Sequence, residues 1–264
     1  MESSPNPFHT VGKLFPADEV VPPVGVDAET PVVDALRLML EKRFSQLTVE
    51  DVNGRLQGVF SLWSLARLLE SQPGLKIEDL VVDDVLTQIP KVTVRDPLEP
   101  VLEMLDRTEA VLVVSPRGPQ AIVTPWDVLD YYYAQARPFI LLGEIEQGLR
   151  QLVVGSMDDD ELSACIEANL GRRYADGRLP ATVEELSFDE LRQIICSRVG
   201  WPHFEGLLGR MKTVVDGRLQ AIRDIRNDVF HFRGEAEPRD VERLAADREW
   251  VVQRLARMRE VDDG

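Results

Sequence analysis

The sequence predicts an α+β protein in two parts, a twice-repeated β-α-β-β-α half followed by an all-helical half. Three observations carry this. Period-2 apolar runs separated by turn residues occupy the first half, the order of elements there occurs twice, and every strand pattern disappears after Phe139. A length of 264 residues fits two domains, at roughly 100–200 residues each.

Copy one starts at the strand Val24-Gly25-Val26 and passes into helix positions Val32, Val33, Leu36, Met39 and Leu40. The strand Gln46 to Val49, an Asn53-Gly54 turn, the strand Leu56 to Phe60 and a helix from Leu62 to Leu69 follow. Copy two repeats the order with Val92 to Val94, the helix positions Leu98, Val101, Leu102 and Leu105, the strand Ala110 to Val114, a turn at Pro116-Arg117-Gly118, the strand Ala121 to Val123 and a helix from Asp127. The offset falls from 66 at Pro31/Pro97 to 63 at Ser61/Thr124, so the second copy is shortened before or within its hairpin. Thr10 to Phe15 corresponds to Val81 to Leu86 as a lead-in. The expected organisation is a tail at 1–7, the repeat pair at 8–137 (about 8–72 and 79–137), and a helical domain at 138–262, with the boundary where Tyr131-Tyr132-Tyr133 runs toward Pro138.

Composition narrows the function classes. Apolar residues at 44% and charged residues at 29% suit a folded chain and exclude wholesale disorder. No run approaches the ~18–20 apolar residues of a membrane helix, and the first 30 residues lack a secretory pattern, so the expected location is the cytoplasm. Cys165 and Cys196 lack zinc or redox spacing and read as buried thiols. A net charge of −16 argues against a general polyanion-binding surface. Arg210 to Arg233 breaks that trend, with six basic residues against three acidic ones, and is where a phosphate ligand would be directed.

The repeat resembles a tandem pair of CBS domains, the Bateman module. In that family the last strand runs into a Ser/Thr-x-x-Asp motif whose hydroxyl contacts a phosphate and whose carboxylate binds ribose hydroxyls. Thr124-Pro125-Trp126-Asp127 has the motif intact. Ser61-Leu62-Trp63-Ser64 retains the first hydroxyl, Ser61, but carries no carboxylate at Ser64. The resemblance implies a regulatory adenine nucleotide, whether AMP, ADP, ATP or S-adenosylmethionine, bound through Thr124 and Asp127, with Ser61 as the nucleotide-binding hydroxyl of copy one. A helix N-terminus suits a phosphate and a carboxylate accepts from a vicinal diol. Both residues fit an ordinary helix start equally well, and some such pairs only dimerise.

The second half reads as helices near 139–154, 158–170, 182–199, 204–226 and 238–258. Asp158 to Glu161 complements a helix dipole, and no metal is expected. Near the end of the fourth segment stands Arg226-Asn227-Asp228-Val229-Phe230-His231, with Asn227 and His231 one helical turn apart. This resembles the HEPN family, helical bundles whose ribonuclease members carry Arg, often Asn, and then His. The resemblance implies metal-independent RNA cleavage by transphosphorylation. His231 would move the proton, Arg226 would stabilise the phosphorane and Asn227 would orient either. One motif brings one histidine, so a homodimer is expected to supply the second. A packed His231 between Phe230 and Phe232, with Arg226 bridged to Asp224 or Asp228, is the alternative.

The reading is therefore a CBS pair that senses an adenine nucleotide and regulates a HEPN-type endoribonuclease. Its rival is a non-catalytic sensor or adaptor whose helical half binds a protein partner. A toxin held by an antitoxin differs from the first only in its partner.

Overall fold

The computed structural model describes residues 9–15, 23–53, 55–116, 118–175, 177–232 and 236–262. Gly54, Arg117, Arg233, Gly234 and the expected tail 1–7, all used in the sequence reading, lie outside the described residues. The chain divides into two compact units, Met1–Tyr132 and Tyr133–Gly264.

In the first unit each copy forms a three-stranded sheet. Copy one holds β1 (Gly25–Asp27), α1 (Val32–Lys42), β2 (Gln46–Glu50), β3 (Leu56–Ser61) and α2 (Leu62–Ser71). Copy two holds β4 (Lys91–Val92), α3 (Leu98–Thr108), β5 (Val111–Ser115), β6 (Gly118–Val123) and the start of α4 (Pro125–Ser156). In both sheets the middle strand pairs parallel with the first and antiparallel with the last, with a register shift at Val49/Glu50 and again at Val113/Val114. Leu47, Val49 and Phe60 on one sheet, and Val111, Val113 and Val123 on the other, are buried against their own helices.

The two lead-ins are exchanged. Val11 N–H donates to the Asp96 carbonyl at 2.9 Å and Leu98 N–H to the His9 carbonyl at 2.9 Å, which places the first lead-in on copy two. Val32 N–H donates to Leu80 and Val82 N–H to Thr30, both at 2.9 Å, which places the second lead-in on copy one. Val11 accordingly sits in the copy-two core, while Val82 and Val85 sit in the copy-one core. His9 is also engaged, its Nδ1 lying 3.0 Å from the Tyr131 hydroxyl.

The second unit is helical: the later part of α4, then α5 (Asp159–Leu170), α6 (Phe188–Ile195), α7 (Trp201–Leu208), α8 (Lys212–Phe230) and α9 (Pro238–Asp262). Ile145, Leu149, Leu152, Phe188, Phe204, Leu219 and Ile222 lie in its core. Three expectations change here. The helix expected to end at Pro138 does not end there; α4 runs through it, although an interior proline loses one ladder hydrogen bond and crowds the preceding turn. The helix expected over 204–226 is two helices, broken where Gly209 adopts φ +125°, a conformation open to glycine and strained for other residues. The segment expected over 182–199 keeps only α6 as α-helix, preceded by a short 3-10 turn at Val183–Glu185. Asp158 and Glu161 cap α5 reciprocally, at 2.8 and 3.0 Å. Among the described residues no helix is long and apolar enough to cross a membrane.

Candidate functional site

The last strand of each copy delivers a hydroxyl residue to a helix start. In copy one, Ser61 N–H and Ser61 Oγ both donate to Ser64 Oγ, at 3.0 and 3.3 Å. In copy two, Thr124 N–H and Thr124 Oγ1 both donate to Asp127 Oδ2, at 2.7 and 2.6 Å. One acceptor oxygen at the fourth position therefore completes the turn in either copy. The single oxygen of Ser64 is fully engaged, since it also donates its hydrogen to the Ser61 carbonyl at 2.9 Å. Asp127 has a second, Oδ1, which takes no hydrogen bond among the described residues.

Thr124 and Asp127 line a cleft of about 400 Å³ with Pro23, Val24, Phe44, Ile122 and Trp126 as apolar walls and Arg43 as its cation. That volume lies within the usual range for small-ligand sites. Arg43 is a residue that sequence reasoning missed. It ends α1 with φ +58°, a left-handed conformation that costs a residue with a Cβ about 1–2 kcal/mol. Its counterpart in copy two, Glu109, ends α3 with φ +59°. The helix ends cross over, so that Arg43 of copy one lines the Asp127 cleft and Glu109 of copy two lines the Ser61/Ser64 cavity. A signal existed in the sequence, a non-glycine residue just past the last periodic apolar position of α1. Its placement beside the other copy's motif did not.

A family model for the CBS domain matches residues 17–71. Residues 17–71 are a CBS domain. That match covers copy one, and copy two follows it in element order, sheet pairing and bulge position. No curated protein matches the chain. Among solved structures, an uncharacterized conserved protein from Pyrococcus horikoshii is 25% identical, covering 47% of this chain and 92% of its own, with a TM-score of 0.41. A conserved CBS domain protein of unknown function from Thermoplasma acidophilum is 26% identical, covering 46% and 68%, with a TM-score of 0.40. CBSX2 in complex with AMP is 29% identical, covering 46% and 94%, with a TM-score of 0.38.

The arrangement in the first unit offers a helix start, a spare carboxylate oxygen, a guanidinium and an aromatic wall. The other sequence-derived residues lie in the helical unit. Arg226 is half-buried, its Nε 3.4 Å from Glu146 Oε2 and its guanidinium 4.8 Å from the Phe230 ring centroid. Glu146 also accepts from Arg150 at 2.6 Å. Arg226 and Asn227 share a cleft of about 280 Å³ with Ser187, Phe188, Asp189 and Arg223. Burial would raise the Asp189 carboxyl, but bonds from Arg223, Gln193 and Arg192 outweigh it and hold that carboxyl below its ordinary value. His231 is not among the cleft's walls. The helix does not continue through it as the sequence reading assumed; α8 stops at Phe230 and His231 is the residue after it. Its N–H still donates to the Asn227 carbonyl at 3.0 Å, which keeps it one turn beyond Asn227. His231 is exposed between the exposed Phe230 and Phe232, not packed, and Arg226 pairs with Glu146 while Asp224 pairs with Arg223.

Proposed function

We propose that the CBS domain pair is a regulatory sensor binding one adenine nucleotide at Thr124 and Asp127. The observation that carries this is the spare oxygen of Asp127. Copy one shows that a hydroxyl at the fourth position satisfies the turn, so the extra carboxylate oxygen is there for something other than folding. It suits a ribose diol, Arg43 and the Thr124 hydroxyl suit a phosphate, and Trp126 and Phe44 suit a base. Calorimetric titration with AMP, ADP, ATP and S-adenosylmethionine tests it. One site per chain for at least one of them, lost in Asp127→Ser, is the expected result; heat from none of them overturns the reading.

For the helical unit the favoured reading is a HEPN-type ribonuclease effector, supported by the exposure of His231 four residues after Asn227 and five after Arg226. The ribose 2′-OH would attack the adjacent phosphorus with its proton passing to an imidazole, and the P–O5′ bond would break as the leaving oxygen gains a proton. The products are a 2′,3′-cyclic phosphate and a 5′-hydroxyl. Arg226 would carry the phosphorane charge. A homodimer would bring a second His231 as the opposite acid or base. Labelled single-stranded RNA incubated in EDTA with wild type and His231→Ala separates this from the adaptor reading. Cleavage lost in the variant supports the enzyme; its absence in wild type with and without each nucleotide supports an adaptor that binds a protein partner. Regulation requires that the nucleotide prefer one state of the effector, so cleavage unchanged across saturating nucleotide counts against it.

A further inference from the structure

We propose that Arg218, Arg254 and Arg257 form a second phosphate-holding point in the helical unit, which takes the backbone of single-stranded RNA away from the Arg226 cleft. The proposal rests on the RNA-directed reading of that unit. Its centre is Trp250 on α9, almost fully buried, with the Arg218 guanidinium 4.8 Å and the Arg254 guanidinium 5.7 Å from its ring centroid. Arg218 Nε lies 2.8 Å from Asp247 Oδ1, and Arg243 Nε lies 3.9 Å from the other oxygen of that buried carboxylate. Asp247 thus bonds Arg218 through Oδ1 and faces Arg243 with Oδ2, which is buried and takes no hydrogen bond among the described residues. Arg254 and Arg257 form no ion pair among the described residues. The Arg254 Nε–H is buried and has no acceptor. Burial, then the charges of Arg257 and Arg218, loosen the proton of Arg254.

Packing alone does not account for this. A buried N–H without an acceptor and a guanidinium beside like charges both destabilise a fold. The chain carries 46 acidic residues against 30 basic ones and places no carboxylate beside Arg254 among the described residues. The enclosed Nε–H leaves only the outer nitrogens of the half-buried Arg254 and the exposed Arg257 to face solvent; a phosphate there supplies the missing charge, and the planar guanidinium fork matches it. A polyanion with regularly spaced phosphates is favoured by position. Arg218 stands on the same helix as Arg226, eight residues earlier, which is ~12 Å along the axis and about 80° around it. A short strand crossing α8 can touch both.

The test is fluorescence anisotropy of a labelled uridine oligomer over a salt series, with full-length protein carrying His231→Ala so that cleavage does not intervene. Adding Arg254→Gln and Arg257→Gln together should weaken binding at least about fivefold and reduce the slope of log K against log salt by roughly 1.4, at about 0.7 per lost contact for a single strand. Arg257→Gln alone, on an exposed side chain, should remove about half of that slope change without a folding penalty. Arg239→Gln, whose guanidinium pairs with Glu237 at 2.7 Å, should change neither. Wild-type affinity and slope in the double variant, an equal loss in Arg239→Gln, or no binding by any form overturns the proposal. So does displacement of the oligomer by inorganic tripolyphosphate at matched phosphate concentration, since the site would then prefer a free polyanion. The nuclease reading fails separately, on wild-type protein that binds RNA and leaves it intact.

Discussion

Three helix starts in this protein use the same pair of hydrogen bonds and differ in what remains afterwards. Ser61 donates twice to Ser64 Oγ, Thr124 twice to Asp127 Oδ2, and Ser187 twice to Glu190 Oε2, the last at 2.8 Å for each bond. Ser64 has nothing further to offer. The second oxygen of Glu190 is taken by the Tyr174 hydroxyl at 2.7 Å, with Arg173 at 3.5 Å, so that carboxylate belongs to the fold. The second oxygen of Asp127 takes no hydrogen bond among the described residues, and Asp127 lines a cleft with Arg43 and Trp126. A capping carboxylate therefore indicates a ligand only when its remaining oxygen is unclaimed and faces space.

The sharpest way to break the comparison is Asp127→Ser, which rewrites copy two as copy one. Nucleotide affinity should fall by about 100-fold, the scale of two hydrogen bonds to a charged group, while the melting temperature holds because Ser64 shows that the cap survives. A matching loss of stability would return Asp127 to the fold. Next is Arg43→Gly, which relieves the left-handed strain at φ +58°. It should stabilise the chain by ~0.5–1 kcal/mol in chemical denaturation and weaken AMP about tenfold, leaving adenosine nearly unaffected. The converse experiment installs the missing groups in copy one. Ser64→Asp with Glu109→Arg should raise the stoichiometry of AMP from one to two per chain, the new site being the weaker.

Smaller effects concern the caps themselves. Ser61→Ala should cost ~1 kcal/mol of stability with nucleotide affinity unchanged. Acidification should distinguish Glu190 from the others. Burial pushes its carboxyl up, but the bonds from Ser187 and Tyr174 and the nearby Arg173 prevail and hold it below the ordinary value of 4.5. A depressed carboxylate stabilises the fold above that ordinary value and loses its contribution as pH falls through the folded one. The melting temperature should therefore drop as pH falls below about 4.5, and a Glu190→Gln variant, already less stable at neutral pH, should drop by less.

Much of the fold was legible because strand alternation and helical spacing are local signals. Leu47, Val49 and Phe60, and Val111, Val113 and Val123, reveal their strands by period alone. Gly209 was harder, since Gly206 and Gly217 on either side are tolerated within helices and nothing local says which glycine takes a positive φ. The exchange of lead-ins was out of reach for a similar reason. Thr10 meets Pro97 and Val81 meets Pro31 through pairings across 87 and 50 positions, which no window of sequence contains. In the site, Thr124 and Asp127 could be read from their spacing, whereas the placement of Arg43 could not, because a helix end of one copy lines the cleft of the other.

The sequence by itself determined the repeat, the two helix-start motifs and the missing carboxylate at Ser64, since each is written in short runs of residues local to one copy. Only the tertiary structure decided which carboxylate oxygens were free. It also decided which cation lines the Asp127 cleft and which arginines near Trp250 form no ion pair among the described residues. Those outcomes depend on competition among groups distant along the chain for a limited number of hydrogen-bond acceptors, and that competition is settled only when the elements pack.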